Sequence, residues 1–187
     1  MDTNPKNKEK SSAKLANFLE TNKIHKKDFA QMIGVTLSYI YNLIDDTIPF
    51  SGRSTTLERI ATVMDIEPEE FEEYLIEAEP KPYNKNLDYL KHQIKSKGLT
   101  TVEYLKLFEK KKRKEIVDIL RGAKPLPINY LELEKIYSLV ECDKADIFNI
   151  WIEVMVDYLN SGDFNTKTNE GLANSMFDCA RKYIFKK

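Results

Sequence analysis

Cysteine is scarce in this chain. Its 187 residues hold two, Cys142 and Cys179. Neither belongs to a CxxC pair or a Cys/His cluster, so the sequence offers no thiolate metal site. Histidine is as rare: His25 and His92 stand alone, with no nucleophile placed to use either as a base. The six glycines form no phosphate-cradling loop, and no paired carboxylates sit in an apolar setting. An enzyme is therefore not expected, nor a metal or cofactor. No apolar run approaches the length of a membrane span. Residues 1–14 lack the apolar centre of a secretory leader. Together these absences suggest a cytoplasmic protein with no membrane partner.

Strong net charge is also missing: the total is −1 at pH 7. The distribution is uneven, however. Residues 1–80 carry 9 Lys/Arg against 15 Asp/Glu, residues 81–124 carry 13 against 5, and residues 125–187 carry 7 against 10. A basic centre between acidic flanks suits a polyanion binder, although a solvated lysine-rich surface has the same composition. Strand-like alternation is absent, and apolar residues recur at helical spacing throughout. The expected fold class is all-α.

What the chain does have is a repeat. Asn42-Leu43-Ile44 through Tyr74-Leu75-Ile76 lies over Asp118-Ile119-Leu120 through Ile150-Trp151-Ile152 at a constant shift, 118 − 42 = 76. Ile40 then meets Ile116, Pro49 meets Pro125, Leu57 meets Leu133 and Ile60 meets Ile136. Upstream the shift is one less: Ile24 meets Leu99, Phe29 meets Tyr104 and Ile33 meets Phe108. Most structural repeats have periods of about 20–50 residues. This longer one suggests two duplicated domains. Cys142 replaces Ile66 in the repeat and is expected to be a buried thiol. Trp151 replaces Leu75 and is expected in a core.

Helices are expected over 13–21, 26–33 and 37–44, with Gly34 ending the second at positive φ and Thr36 capping the third. Thr55 or Thr56 would cap a fourth, running to Met64, and Glu67-Pro68-Glu69 would open a fifth. Glu79-Pro80-Lys81-Pro82 breaks the helical pattern. Further helices follow at 86–97, after a Thr100/Glu103 capping box, and at 110–120, 131–140, 145–159 and 170–184. The expected organisation is a disordered arm at 1–12, a first helix-turn-helix domain at 13–79 and a linker at 80–85. A degenerate second domain spans 86–160, and 161–187 holds a C-terminal helix with a possible dimerisation stripe.

The helix-turn-helix solves a geometric problem. A second helix must protrude into a major groove about 12 Å wide while the first braces it on the backbone. That requires a small residue where the helices touch, a tight turn and a hidden apolar face. Ala30 is small, Gly34-Val35-Thr36 makes the turn, and Ile40, Leu43 and Ile44 hide. Leu37, Ser38, Tyr41 and Asn42 face outward, with Tyr39 at the edge. His25, just before the bracing helix, reads as a surface or capping residue.

Ile24 through Ile40, with Leu57, Ile60, Ala61, Met64, Ile66 and Phe71 beyond, resembles the core of the lambda-repressor-like, or Xre-type, DNA-binding domain. The resemblance covers roughly residues 15–75, and reaches 90–152 weakly by way of the repeat. It implies a compact bundle of about five helices that binds double-stranded DNA, usually as a homodimer. It places Thr36, Leu37 and Ser38 where the recognition helix enters the groove, and Asn42 at a frequent base-contacting position. An Asn there can read adenine through two hydrogen bonds, and Leu37 can touch a thymine methyl. Lys26 matches the start of the bracing helix, where phosphate is contacted, and Arg53 lies in the loop approaching the other strand.

The loop from Ile44 to Leu57 is longer than that family's norm, and the recognition helix lacks Arg and Gln. In the second copy Leu105 replaces Ala30, and Glu109 and Lys110 stand where the turn glycine would be. That turn leads into Lys110-Lys111-Lys112-Arg113-Lys114, where Lys111, Lys112, Arg113 and Lys114 are phosphate-contact candidates. Two functions stay open. One is a DNA-binding transcriptional regulator resembling phage repressors. The other is a protein-binding module, such as an antitoxin, antirepressor or adaptor, in which the fold no longer binds DNA.

Overall fold

The computed structural model describes residues 10–52, 54–74 and 84–161, together with 174 and 176. Every regular element among them is helical. In chain order these are α1 (Ser11–Thr21), α2 (Lys26–Ile33), α3 (Leu37–Ile44), α4 (Thr55–Met64), a 3-10 turn (Pro68–Glu70), α5 (Lys85–Ser96), α6 (Thr101–Lys106), α7 (Lys110–Leu120), α8 (Tyr130–Ser138) and α9 (Lys144–Ser161). Of the arm expected at 1–12, Ser11 and Ser12 instead form the buried first residues of α1, and residues 1–9 lie outside the described residues, as do the prolines at 80 and 82 and all but two residues of the expected last helix.

Local chemistry sets the boundaries. Gly34 ends α2 at φ 75°, a left-handed conformation that a side chain would resist. Thr36 caps α3 by accepting from the Tyr39 amide at 3.2 Å. The cap of α4 is Ser54, whose hydroxyl accepts from the Leu57 amide, and not Thr55 or Thr56, which lie within the first turn. The fifth helix expected from Glu67-Pro68-Glu69 is one 3-10 turn, after which Phe71 returns to extended backbone and buries its ring against Phe50. The capping box at α6 is formed. Thr100 accepts from the Glu103 amide at 3.2 Å, and Glu103 Oε2 accepts from the Thr100 amide at 2.9 Å.

The described residues form two compact units. The first holds α1–α4, the 3-10 turn and the segment Thr100–Ala123 with α6 and α7. Its core joins Leu15, Phe29, Ala30, Met32, Ile33, Ile40, Leu43, Leu57 and Ile60 to Tyr104, Leu105, Val117 and Leu120. The second holds α5 (in Asn84–Leu99), α8 and α9. This grouping and the expected division at 80–85 part company at Thr100–Ala123.

Polar bonds explain why α6 and α7 belong to the first unit. Asp65, in left-handed conformation just past α4, accepts from the Thr101 amide at 3.0 Å and from its hydroxyl. Asp118 on α7 accepts from Arg59 on α4 through both carboxylate oxygens, at 2.8 and 3.2 Å, and from Arg121 Nε at 2.9 Å. Arg121 also pairs with Glu58. All four side chains are largely buried, and burial of charge is tolerated only when each group is paired in this way.

In the second unit Trp151 is buried as expected. Its indole N–H donates to the Ile128 carbonyl at 2.8 Å and its ring meets Tyr130 edge-on. Tyr137 is fully buried and donates its hydroxyl to the Asn86 carbonyl at 2.8 Å. Cys142 is only half-buried, beside Tyr89 and Asp146, so it is not the enclosed core thiol that the repeat suggests; burial still pushes its pKa up.

Candidate nucleic-acid interface

The recognition helix is built from inside out. Ile40 and Leu43 are fully buried and anchor α3 against α2. Residues three and four apart share a helix face. Burying that pair therefore turns the other side of α3 outward. Thr36, Leu37, Ser38, Tyr41 and Asn42, the five base-reading candidates, are all exposed there. Leu37 is 38% and Tyr41 44% exposed, high for large apolar side chains. Ile44, expected to hide, is partly exposed at the end of the helix, and Tyr39 is half-buried, which raises its pKa.

At its N-terminus α3 meets the start of α2. Ile24, His25, Lys26, Lys27, Asp28, Leu37 and Tyr41 line one open groove there. His25 is the exposed N-cap residue of α2, but its side chain makes no capping bond. The Lys26 ammonium sits over the Tyr41 ring, 4.5 Å from its centre, a cation–π contact that ties the bracing helix to the recognition helix. Arg53, the other loop candidate, lies outside the described residues.

The five cations of α7 do not behave as one cluster. Arg113 is the exception to the expected phosphate surface. It is 9% exposed, and its guanidinium donates to the carbonyls of Phe108 at 3.2 Å and Lys106 at 3.4 Å. Lys106 closes α6 and Phe108 lies two residues past it, and the buried Arg113 fork donates to both carbonyls, as basic side chains do at helix C-termini. The four lysines are exposed. Lys110 reaches Asp28 on α2 at 3.4 Å, Lys111 reaches Glu109 at 3.0 Å and Lys112 reaches Glu115 at 3.2 Å. Lys114 lays its stem across Gly34, so that a Cβ there would come within 3.0 Å of its Cγ. Exposed pairs of this kind are worth about 0–1 kcal/mol, little enough to be exchanged for a phosphate.

The sequence reading treated Lys110–Lys114 as one run by adjacency and so missed the pairing of Lys110 with Asp28. The signal was the i, i+4 spacing, which puts Lys110 and Lys114 on one face of α7. The contact of that face with α2 was not legible in the spacing.

Among the described residues no group of three His, Cys, Asp or Glu side chains could hold a metal ion, and no helix is long and apolar enough to cross a membrane. Residues 14–75 match the family model of the Cro/C1-type HTH DNA-binding domain. That family is a DNA-binding one and not typically enzymatic, and the match supports a DNA-binding regulator of the general kind. Comparison with the curated proteins and with the solved structures found no match.

Proposed function

We propose that this chain is a transcriptional regulator, repressor-like, that reads the major groove with α3. The observation that carries it is the coincidence of two things. The segment matching a DNA-binding domain is also the one in which five polar or methyl-contacting candidates stand exposed on one short, capped helix. Thr36, Leu37, Ser38, Tyr41 and Asn42 contact base edges. Lys26 and Lys114 contact phosphate, which gives affinity without sequence information, while Lys111 and Lys112 stand further round α7 and pair with Glu109 and Glu115. Arg113 drops out of that set because its guanidinium is occupied. A cytoplasmic location fits a DNA partner.

The proposal includes a homodimer, since helix-turn-helix proteins place two recognition helices on half-sites about one DNA turn apart. In the second unit α9 exposes Ile152, Val156 and Leu159 at helical spacing, an apolar face suited to a second copy. Sedimentation of the intact chain at micromolar concentration tests this, and a monomer would refute it. The tandem duplication stays a proposal too, supported by the α2 and α6 starts, which keep the upstream shift at 101 − 26 = 75; the α4 and α8 starts, 130 − 55 = 75, fall one short of the shift of 76 in that region.

A selection from a random DNA library with purified protein tests the main reading, with Asn42→Ala beside it. The substitution should cost roughly 1–3 kcal/mol on the selected site and relax one base position. Unchanged affinity and preference would remove Asn42 from the readers.

A second reading, a protein-binding module of the antitoxin, antirepressor or adaptor kind, draws on the exposed Leu37 and Tyr41 and on the absence of Arg and Gln from α3. Salt separates the two. DNA affinity should fall steeply between low and physiological salt, whereas a hydrophobic protein complex should hardly respond.

A further inference from the structure

Helix α7 was expected to be the recognition helix of a separate domain, yet it packs along α2, the bracing helix of the first one. Its position brings two lysines to opposite ends of α2. Lys110 meets Asp28 in the first turn of α2, and Lys114 crosses Gly34 just past its last turn. Asp28 also lines the groove shared by Lys26, Lys27, Leu37 and Tyr41. The Lys110 ammonium therefore stands at the rim of the surface that faces DNA in the reading above.

We propose that Lys110 and Lys114 extend the phosphate-contacting edge begun by Lys26 and Lys27, so that α7 completes the first DNA site and forms none of its own. The occupant is the sugar-phosphate backbone of the duplex read by α3, and the inference rests on that reading. Charge is the first argument. Asp28 is an anion on an edge that meets phosphates, and Lys110 offsets it and leaves the edge cationic. Spacing is the second. Asp28 and Gly34, the α2 positions that Lys110 and Lys114 meet, are six residues and so about 9 Å apart along the helix, and each DNA strand carries a charge per about 3.4 Å of axis, so the two side chains are spread over two to three phosphate steps. Helix polarity is the third. Cations crowding the N-terminus of α7 oppose its dipole, and a bound anion relieves that cost. Lys111 and Lys112, about 100° and 200° further round α7 than Lys110, are turned progressively away from α2.

The test uses the full chain and a random-sequence duplex, with affinity measured from about 50 to about 200 mM salt. Lys110→Gln/Lys114→Gln should flatten the salt slope by up to about two units. The affinity lost across that range would then shrink by about tenfold. The preferred sequence in a selection should not change, because these contacts read no bases. Lys110→Arg/Lys114→Arg keeps the charges and should keep the slope. Asp28→Asn removes the opposing anion and should tighten binding. The inference is overturned if the Gln variant keeps the parental slope while Asn42→Ala still alters base preference. It is overturned equally if the Arg variant loses as much as the Gln variant, since packing and not charge would then be responsible. A chain with no salt-dependent DNA binding would overturn both this inference and the reading beneath it.

Discussion

The buried ionic group between α4 and α7 makes the sharpest prediction about stability. Asp118 holds two arginines at once, Arg59 by a two-oxygen fork and Arg121 by its Nε, and only 10% of its side chain is exposed. Replacing it by Ala removes the acceptor from both. Arg121 keeps Glu58, but Arg59 loses its fork while remaining largely enclosed. Removing one partner of a buried pair costs about 3–5 kcal/mol, because the remaining charge stays desolvated. We expect about 3 kcal/mol for Asp118→Ala, since Glu58 retains part of the group. With a urea dependence of about 1–3 kcal/mol per molar, the unfolding midpoint read by circular dichroism should drop by about 1–3 M. Acidity adds a second readout. Burial alone would raise the Asp118 pKa, but hydrogen bonds from Arg59 and Arg121 outweigh it and hold the carboxyl below its ordinary value. A depressed folded-state pKa contributes stability above the unfolded value of about 3.9, and that stability is lost as pH falls through the folded value. The gap between parent and variant should therefore be widest near neutral pH and close as the medium becomes more acidic than about pH 4. A neutral-pH loss below about 1 kcal/mol would mean that water reaches this group and that α7 is held by its apolar face alone.

Gly34→Ala should destabilise by about 1–2 kcal/mol, the cost of a left-handed φ of 75° in an L-residue; adding Lys114→Ala should recover little of it in thermal melts, because a flexible stem can move and the backbone cannot. Trp151→Ala should cost about 3–5 kcal/mol, seen as a lower denaturation midpoint, and a loss under about 1 kcal/mol would place the indole at a surface. Tyr137→Phe leaves the buried Asn86 carbonyl without its 2.8 Å donor, and should cost about 1–3 kcal/mol in the same assay.

The local parts of the first unit were legible because each depends on a few adjacent residues. Gly34 and Thr36 state a turn and a cap by their own chemistry, and the Ile40/Leu43 pair states which side of α3 is hidden. Leu37, Ser38, Tyr41 and Asn42 follow from that by subtraction, and Thr36 is added by the resemblance. The cap of α4 was misplaced by one or two residues because Ser54, Thr55 and Thr56 offer the same hydroxyl within one turn. Only the backbone, extended at Ser54 with φ −96°, decides which of them precedes the helix. The fifth helix was overestimated for a related reason. Proline and acids favour a first turn, but they do not supply the following turns, and the burial of Phe71 against Phe50 pulls the chain out of helix at once.

Helix assignment and helix partnership are separate kinds of information. The repeat aligns Ile116 with Ile40 and Leu120 with Ile44, which says that α7 has an inward face. Periodicity cannot say which neighbour that face meets, because the same apolar stripe would suit any complementary surface. What decides it is polar and specific: Asp118 with Arg59, Asp65 with Thr101, and Lys114 over Gly34. Each joins residues 36 or more positions apart, with no sequence signature linking them. The Arg113 guanidinium makes the same point at shorter range. Within Lys110–Lys114 every residue reads as a solvated cation, yet Arg113 is buried and donates to the carbonyls of Lys106 and Phe108, in and just past the end of α6. A run of like charges is thus a statement about composition. Its division into a pair laid against α2, a solvated pair and a buried cap is made by the neighbouring helices, and any charge-reversal experiment on this chain has to respect that division.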